Sequence, residues 1–393
     1  MVATLIRVTG DWDVAEEAAA AAFERGATTW PRDGVPRTPG AWLTTAARNL
    51  ALDRLRRRGV EAGKLQELGV MQTRAGRTPP DPADEATDGP AWDDRLRLVF
   101  TCAHPALPLE SRVALTLRTV GGLSTPEVAR AFLVSEAAMA QRIVRAKAKI
   151  AHAGIPYRVP GPEALPERLS GVLAVLYLIY NEGYAASSGE RVQRLDLAAE
   201  AIRLTRLVVT LLPDGEAVAL LSLMLLQHAR SAARVDSDGE LVPLEEQDRS
   251  RWDGAELAAG LSLLESLAPE VWGPYRVQAE IQAVHARAGS AEDTDWHRIL
   301  SLYDLLPKTP FVTLNRAIAL GMAAGPPAGL AVLDELAAAG RLTGHHLLPA
   351  ARADLNRRLG RRDLAAGYYR EAIGLAPTGP ERRYLQRRLA GLG

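Results

Sequence analysis

The sequence predicts an all-α protein, and three observations carry that prediction. Period-two alternation of apolar and polar residues, the mark of a strand, is nearly absent. Ala, Leu, Arg and Glu dominate, residues that lose little side-chain freedom in a helix. Departures from helical character concentrate in two tracts rich in breakers. These tracts divide the chain. Residues 1–58 form a first helical module, 59–91 an acidic flexible linker, and 92–155 a second module. A break from Pro156 to Pro166, with four prolines, precedes a helical extension over 167–393.

With 393 residues there is enough chain for two or three cores. Hydrophobic residues make up 47% and charged residues 24%, the balance of a soluble globular protein. No apolar stretch reaches about 18 residues without a charge or a breaker, so no membrane span or membrane partner is expected. The run Met1 to Ile6 meets Arg7 too early for a signal peptide. Cys102 is the one cysteine, which excludes an internal disulfide framework and a multi-cysteine zinc site and fits a reducing cytoplasm.

The net charge is zero, which taken alone argues against nucleic acid, but its distribution does not. Residues 96–158 hold 9 basic and 3 acidic residues, whereas 59–95 hold 4 and 8. Two basic modules thus flank an acidic connector. Four lysines against 43 arginines point to a GC-rich genome.

Taken in order, Asp13 to Thr28 reads as an amphipathic helix and Trp30 to Gly40 as a loop. Ala41 to Arg58 then reads as a helix ending in the basic cluster Arg54, Arg56, Arg57, Arg58. The linker contains Thr78-Pro79-Pro80-Asp81-Pro82-Ala83-Asp84. In the second module a helix from Leu109 to Val120 leads through Gly121-Gly122 to Ser124-Thr125-Pro126-Glu127. This is a helix start in which Ser124 caps, Glu127 closes a capping box and Pro126 lies where its missing N–H is harmless. A short helix to about Leu133 follows, then a turn at Val134-Ser135, with Ser135 capping the next helix. That helix carries Met139, Ile143, Ala146 and Ile150 as one apolar stripe. Its other face holds Ala137, Ala138, Gln141, Arg142 and Arg145, with Lys147 and Lys149 further on and no acid between 139 and 150. An apolar back, a small N-terminal end and Gln/Arg for base edges and phosphates are what a recognition helix needs.

The block A-W-L…A-R-N-x-A-x-D-x-L-R-R-R over 41–58 is followed, after the linker, by L-P…G-L-S…E-V-A…S-E-A…M-A-Q-R-I-V-R-A-K. Together they resemble regions 2 and 4 of extracytoplasmic-function sigma factors of the sigma-70 family. Val175 to Ala185, which contains Asn181-Glu182-Gly183-Tyr184, and Gln247 to Asp253 look like the subgroup with a tetratricopeptide-like extension. The resemblance implies a transcription initiation factor, not an enzyme, needing no cofactor and having core RNA polymerase and promoter DNA as partners. By similarity, the helix Asp13–Thr28 would meet the polymerase through Asp13, Glu16, Glu17 and Phe23. The loop with Trp30 and Arg32 would hold a flipped base of the minus-ten element, Asn49 and Asp53 would line the melted strand, and Arg54, Arg56 and Arg57 would hold phosphates. Asp53 either accepts from a base amine or pairs with Arg57 one turn on. The second module would read minus-thirty-five duplex with Gln141, Arg142 and Arg145, helped by Ala138, Lys147 and Lys149, with Ser135 near phosphate. Such factors usually carry about one more helix before the point where this chain begins, so a shortened first module is expected.

In the extension, Ala353, Ala365, Tyr369, Ala372 and Pro377, with Gly360 as the turn, have the spacing of a helical-pair repeat. A looser unit over 312–337 uses Ala317 and Gly329 as its small pair. Such an array offers a concave surface, to which a regulatory protein or small molecule would bind. Metal sites are not expected. Asp293, Asp295 and His297 read as a loop and cap, with Asp295 capping a helix from Trp296. His345 and His346 are adjacent, so their rings should diverge, and Gly183 is expected as a left-handed helix end. Two rival functions remain: a helix-turn-helix regulator that never engages polymerase, and an enzyme in the extension, for which no nucleophile, base or metal set converges.

Overall fold

The computed structural model describes residues 1–67, 94–132, 134–186, 190–270 and 272–392. The protein is all-α: the described residues form eighteen α-helices, and the extended pairing among them is one isolated bridge, Val235 with Leu241. No helix among them is long and apolar enough to cross a membrane. The chain divides into two compact units, Met1–Val175 and Leu176–Gly393, with the division inside one helix. Most of the expected linker, residues 68–91, lies outside the described residues.

The first unit begins with α1 (Val2–Thr9), α2 (Trp12–Asp33) and α3 (Pro39–Glu67). Asp11 caps α2, its Oδ1 accepting from the N–H groups of Asp13 and Val14 at 2.9 Å. Val14, Ala18 and Ala22 on α2 face Leu43, Ala47 and Ala51 on α3, all buried. These small residues at four-residue spacing let the two helices pack tightly. The expected loop from Trp30 is largely helix. Trp30 packs edge-on against Trp42, ring centroids 5.5 Å apart, and lies over Gly26, where an added Cβ would meet its ring at 3.4 Å. That packing holds the last turn of α2 in helix past Pro31 to Asp33, leaving only 34–38 as loop. α3 likewise continues nine residues beyond the expected end at Arg58.

The second half of this unit comprises α4 (Asp94–Cys102), α5 (Leu109–Leu115), α6 (Thr125–Ala131), α7 (Glu136–His152) and the start of α8 (Leu165–Tyr184). α5 passes into a π-turn over Thr116–Val120. Gly121 ends it, since a Cβ there would lie 2.7 Å from the Leu117 carbonyl oxygen. Leu96, Phe100, Leu107, Leu115, Leu117 and Met139 are fully buried.

The second unit takes the rest of α8 and ten further helices: α9 (Leu195–Leu211), α10 (Gly215–His228), α11 (Gly254–Glu265), α12 (Pro274–Arg287), α13 (Trp296–Tyr303), α14 (Pro310–Ala323), α15 (Pro326–Ala338), α16 (Leu347–Arg358), α17 (Arg362–Leu375) and α18 (Gly379–Ala390). Sequence neighbours pair, notably α14 with α15 and α16 with α17. Ala317 and Gly329 do form a close crossing: a Cβ on Gly329 would sit 2.5 Å from the Ala317 carbonyl. Ala353, Ala365, Tyr369 and Ala372 form one buried cluster, and Gly360 makes the turn at φ 71°. Asp295 caps α13 through the Arg298 N–H at 2.8 Å. Two expectations fail here. Gly183 lies in the last turn of α8, one residue before its end, but is not left-handed; glycine is needed there because a Cβ would meet the Ala198 nitrogen at 2.3 Å. The rings of His345 and His346 do not diverge. They stack 5.1 Å apart, because His346 precedes α16 rather than lying within it.

Candidate nucleic-acid interface

The helix-turn-helix is built from local rules. Ser124 and Glu127 bond reciprocally at the start of α6: the Ser124 N–H donates to Glu127 Oε2 at 2.7 Å, and the Glu127 N–H donates to Ser124 Oγ at 3.4 Å. Ser135 caps α7, accepting from the Ala138 N–H at 3.2 Å. Met139, Ile143, Ala146 and Ile150 are buried, which fixes the rotation of α7 about its axis. That rotation presents Ser135, Ala138, Gln141, Arg145 and Lys149 to solvent and leaves Arg142 half-buried. Arg142, Arg145 and Lys149 have no carboxylate partner among the described residues, so these cations are free to meet phosphate or a base edge.

Lys147 behaves differently from the expectation of a DNA contact. Its ammonium lies 2.9 Å from Glu16 Oε2 and 3.2 Å from Asp13 Oδ1 of α2, and its side chain is only 14% exposed. The reason is the helical period: Lys147 falls beside the stripe that packs inward, not on the face of Gln141 and Arg145. Asp13 and Glu16, two residues expected to meet polymerase, are therefore engaged within the unit. Arg118 on the π-turn adds a weaker contact to Glu16, at 3.8 Å.

On α3, Asn49, Asp53, Arg56 and Arg57 are exposed on the side away from Leu43, Ala47 and Ala51. Asp53 pairs with Arg56 at 3.5 Å, one turn along, rather than with Arg57. Arg54 turns to α2 and pairs with Glu17 at 3.0 Å. Arg32 bonds its neighbour Asp33 at 2.8 Å, and Trp30 packs on Trp42 instead of standing in an open loop. Phe23 is 56% exposed, an unusual place for a large apolar side chain, and no described residue of the unit covers it. Beneath this surface, burial and then the Glu16 charge push the Cys102 thiol far above its ordinary range, so it is no nucleophile. Among the described residues no three His, Cys, Asp or Glu side chains form a metal-binding group.

Sequence reasoning missed the part played by Arg118 and the inward turn of Lys147. Neither residue stands out by type; only their ion pairs with Asp13 and Glu16 of α2 single them out.

Comparison with known proteins agrees with this geometry. Residues 1–60 match the family described as Sigma-70 region 2, and residues 97–150 match Sigma-70, region 4. The two regions in this order define a sigma-70 family sigma factor with a role in promoter recognition. Residues 168–268 match a family of unknown function, DUF6596. The chain belongs to one family with uncharacterized protein R00370 of Rhizobium meliloti (strain 1021), with which it shares 42% identity over 98% of its own length and 91% of the relative's. No solved structure matches it significantly.

Proposed function

We propose that the protein is a cytoplasmic bacterial sigma factor of the extracytoplasmic-function type, not an enzyme, that binds core RNA polymerase, melts and reads the minus-ten element with α2 and α3, and reads minus-thirty-five duplex with α7. The observation that carries this reading is α7 itself. A Ser-capped helix with an apolar back presents Gln141 and Arg145 and lacks any acid after Glu136, on the second helix of a tight helix-turn-helix. The exposed row Asn49, Asp53, Arg56, Arg57 supplies a second surface, suited to a single strand and its phosphates.

The extension is read as a tetratricopeptide-like regulatory domain. Its helix pairs crossing at small residues, as at Ala317 with Gly329, support that reading. A protein or small-molecule ligand on the array would set the activity of the first unit.

The test is run-off transcription with purified core polymerase on DNA upstream of the gene and its neighbours. Transcripts lost on Asn49→Ala and on Arg142→Ala establish both modules. Polymerase that neither binds nor responds to the protein rejects the reading. Removing residues 160–393 should change transcript yield; unchanged yield and stability would reject a regulatory extension.

A further inference from the structure

Two segments that promoter recognition leaves unexplained, Asn181 to Tyr184 and Gln247 to Trp252, come together in the second unit. Tyr184 ends α8, Trp252 lies just before α11, and Arg230 and Arg234 follow α10. Arg230 Nη2 donates to the Tyr184 hydroxyl at 3.1 Å and to Gln282 Oε1 of α12 at 2.8 Å, and its guanidinium lies 5.9 Å from the centre of the Trp252 ring. Arg234 lies over the Tyr184 ring at 3.9 Å and Arg249 over Trp252 at 4.5 Å. Arg249 has a structural task, donating to the carbonyls of His285, Ala288 and Ser290 at the end of α12.

Three guanidinium groups thus gather in one place, and among the described residues no carboxylate pairs with any of them. Acids of the neighbouring segments are held elsewhere: Glu182 by Arg194 at 3.2 Å, Glu256 by His228 at 2.8 Å and Asp293 by the Ser290 hydroxyl at 2.9 Å. Structural arginines of the same unit look different, since Arg383, Arg387 and Arg388 each have a carboxylate. Aromatic faces soften the charge of a guanidinium without cancelling it. Arg230 is only 7% exposed and Trp252 8%, yet Arg230 Nε and the Trp252 indole N–H have no acceptor in the protein. Buried donors without acceptors are rare and costly. The positive field is felt nearby. Burial alone would raise the Tyr184 phenol, but Arg230 and Arg234 bring it below its ordinary value.

We propose that Arg230, Arg234 and the indole N–H of Trp252 form a site for a small oxyanion, the phosphoryl or carboxylate group of a small molecule. Both donors that lack acceptors belong to this site, and a guanidinium meets such a group with two parallel hydrogen bonds. Arg234 is only half-buried, so the ion reaches the cluster from its side. Without the ion, desolvated positive charge is left uncompensated, a cost that the ion removes. The site stands on this geometry; that its occupant sets the activity of the first unit rests on the regulatory reading of the extension.

The test is thermal melting of the full chain in millimolar inorganic phosphate and, separately, acetate, with chloride holding the ionic strength constant. At least one of the two anions should raise Tm with a saturating dependence, by about 4 °C at ten times its Kd. A rise with phosphate alone assigns a phosphoryl group to the ligand, and a rise with acetate assigns a carboxylate. Arg234→Met, which removes the charge, should melt higher than the unaltered chain without anion and show no rise with it. Arg234→Lys keeps the charge but loses the planar fork, so its rise should remain with a Kd about tenfold weaker. No rise with either anion overturns the site. So does a rise that Arg234→Met shares, which is exclusion of the salt from the whole surface or binding elsewhere on the chain. Should Arg234→Met melt lower instead, Arg234→Lys decides, and an unaltered Kd in that variant overturns the site. These melts do not involve polymerase or DNA, so they stand or fall apart from the transcription assay that tests the regulatory reading.

Discussion

Two basic helices, α7 and α18, use the same side chains in opposite ways. On α7, Arg142, Arg145 and Lys149 have no carboxylate partner among the described residues. On α18 three of the four arginines are held by carboxylates, Arg383 by Glu190 and Glu240, Arg387 by Glu240 at 2.7 Å, Arg388 by Glu245 at 2.6 Å and Glu246 at 2.9 Å, while Arg382 donates to the Ala376 carbonyl at 3.1 Å. Arg358 of α16 joins the same Glu245 at 2.6 Å. A count of positive charge would rank the helices alike. What separates them is the loop after α10, which brings carboxylates to α18, while among the described residues no carboxylate reaches Arg142, Arg145 or Lys149 of α7. Availability of a cation, more than its presence, marks a surface for nucleic acid.

That contrast can be broken from either side. The largest effect expected is structural and confined to the second unit. Gly329→Val forces a side chain onto the Ala317 carbonyl and should cost about 3 kcal/mol by chemical denaturation, with duplex binding unchanged. Nearly as large, on the opposite property, is the pair Arg142→Glu with Arg145→Glu. It should weaken duplex binding about a hundredfold in an anisotropy titration and flatten its salt dependence, with stability shifted by less than about 0.5 kcal/mol. Binding that survives would place the DNA surface elsewhere.

A pH effect again belongs to the second unit. Burial, and then Arg230 and Arg249, hold His285 neutral down to about 4. The unfolded chain takes up that proton near pH 6.5, so stability should fall as pH drops from 6.5 to about 4 and level off below. The loss attributable to His285 is on the order of 2 kcal/mol, read as the difference between the unaltered chain and His285→Asn in urea melts at pH 7 and 4.5. Parallel melts would exclude His285 as the source. The smallest effect sharpens the helix-turn-helix: Ser135→Ala removes the α7 cap and should cost about 1 kcal/mol, visible as a lower Tm of the first unit.

Features set by neighbours in sequence were legible. The capping box at Ser124 and Glu127, the Ser135 cap, the buried stripe of α7 and the Asp295 cap all follow from local hydrogen bonding and helical period. So did the small pairs Ala317 with Gly329 and Ala353 with Ala365, because close helix crossings admit little else. Features set by distant partners were not. Gly183 looked like a left-handed cap; it does lie at the end of α8, yet its reason is Ala198, fifteen residues away in sequence. Trp30 looked like a loop residue until Trp42 gave its ring a place to pack. Lys147 reads as one more basic residue, and only α2 tells it apart from Arg145. The candidate DNA surface was therefore legible in outline, while its occupancy by the protein's own acids was not.

The ion pairs that Glu190 and Glu245 make with the end of the chain have a kinetic consequence. Stacked helix pairs interact with their neighbours, so such arrays commonly fray from an open end. Here Arg358 is tied to a residue 113 positions earlier, and Arg383 to one 193 positions earlier. The last helix is thereby joined to the first third of its unit. Contacts of such sequence separation form late and raise the entropic barrier to folding, so this unit should refold slowly for a helical protein. Once formed, the amides of α18 should exchange with solvent at the pace of the whole unit rather than as a loose end.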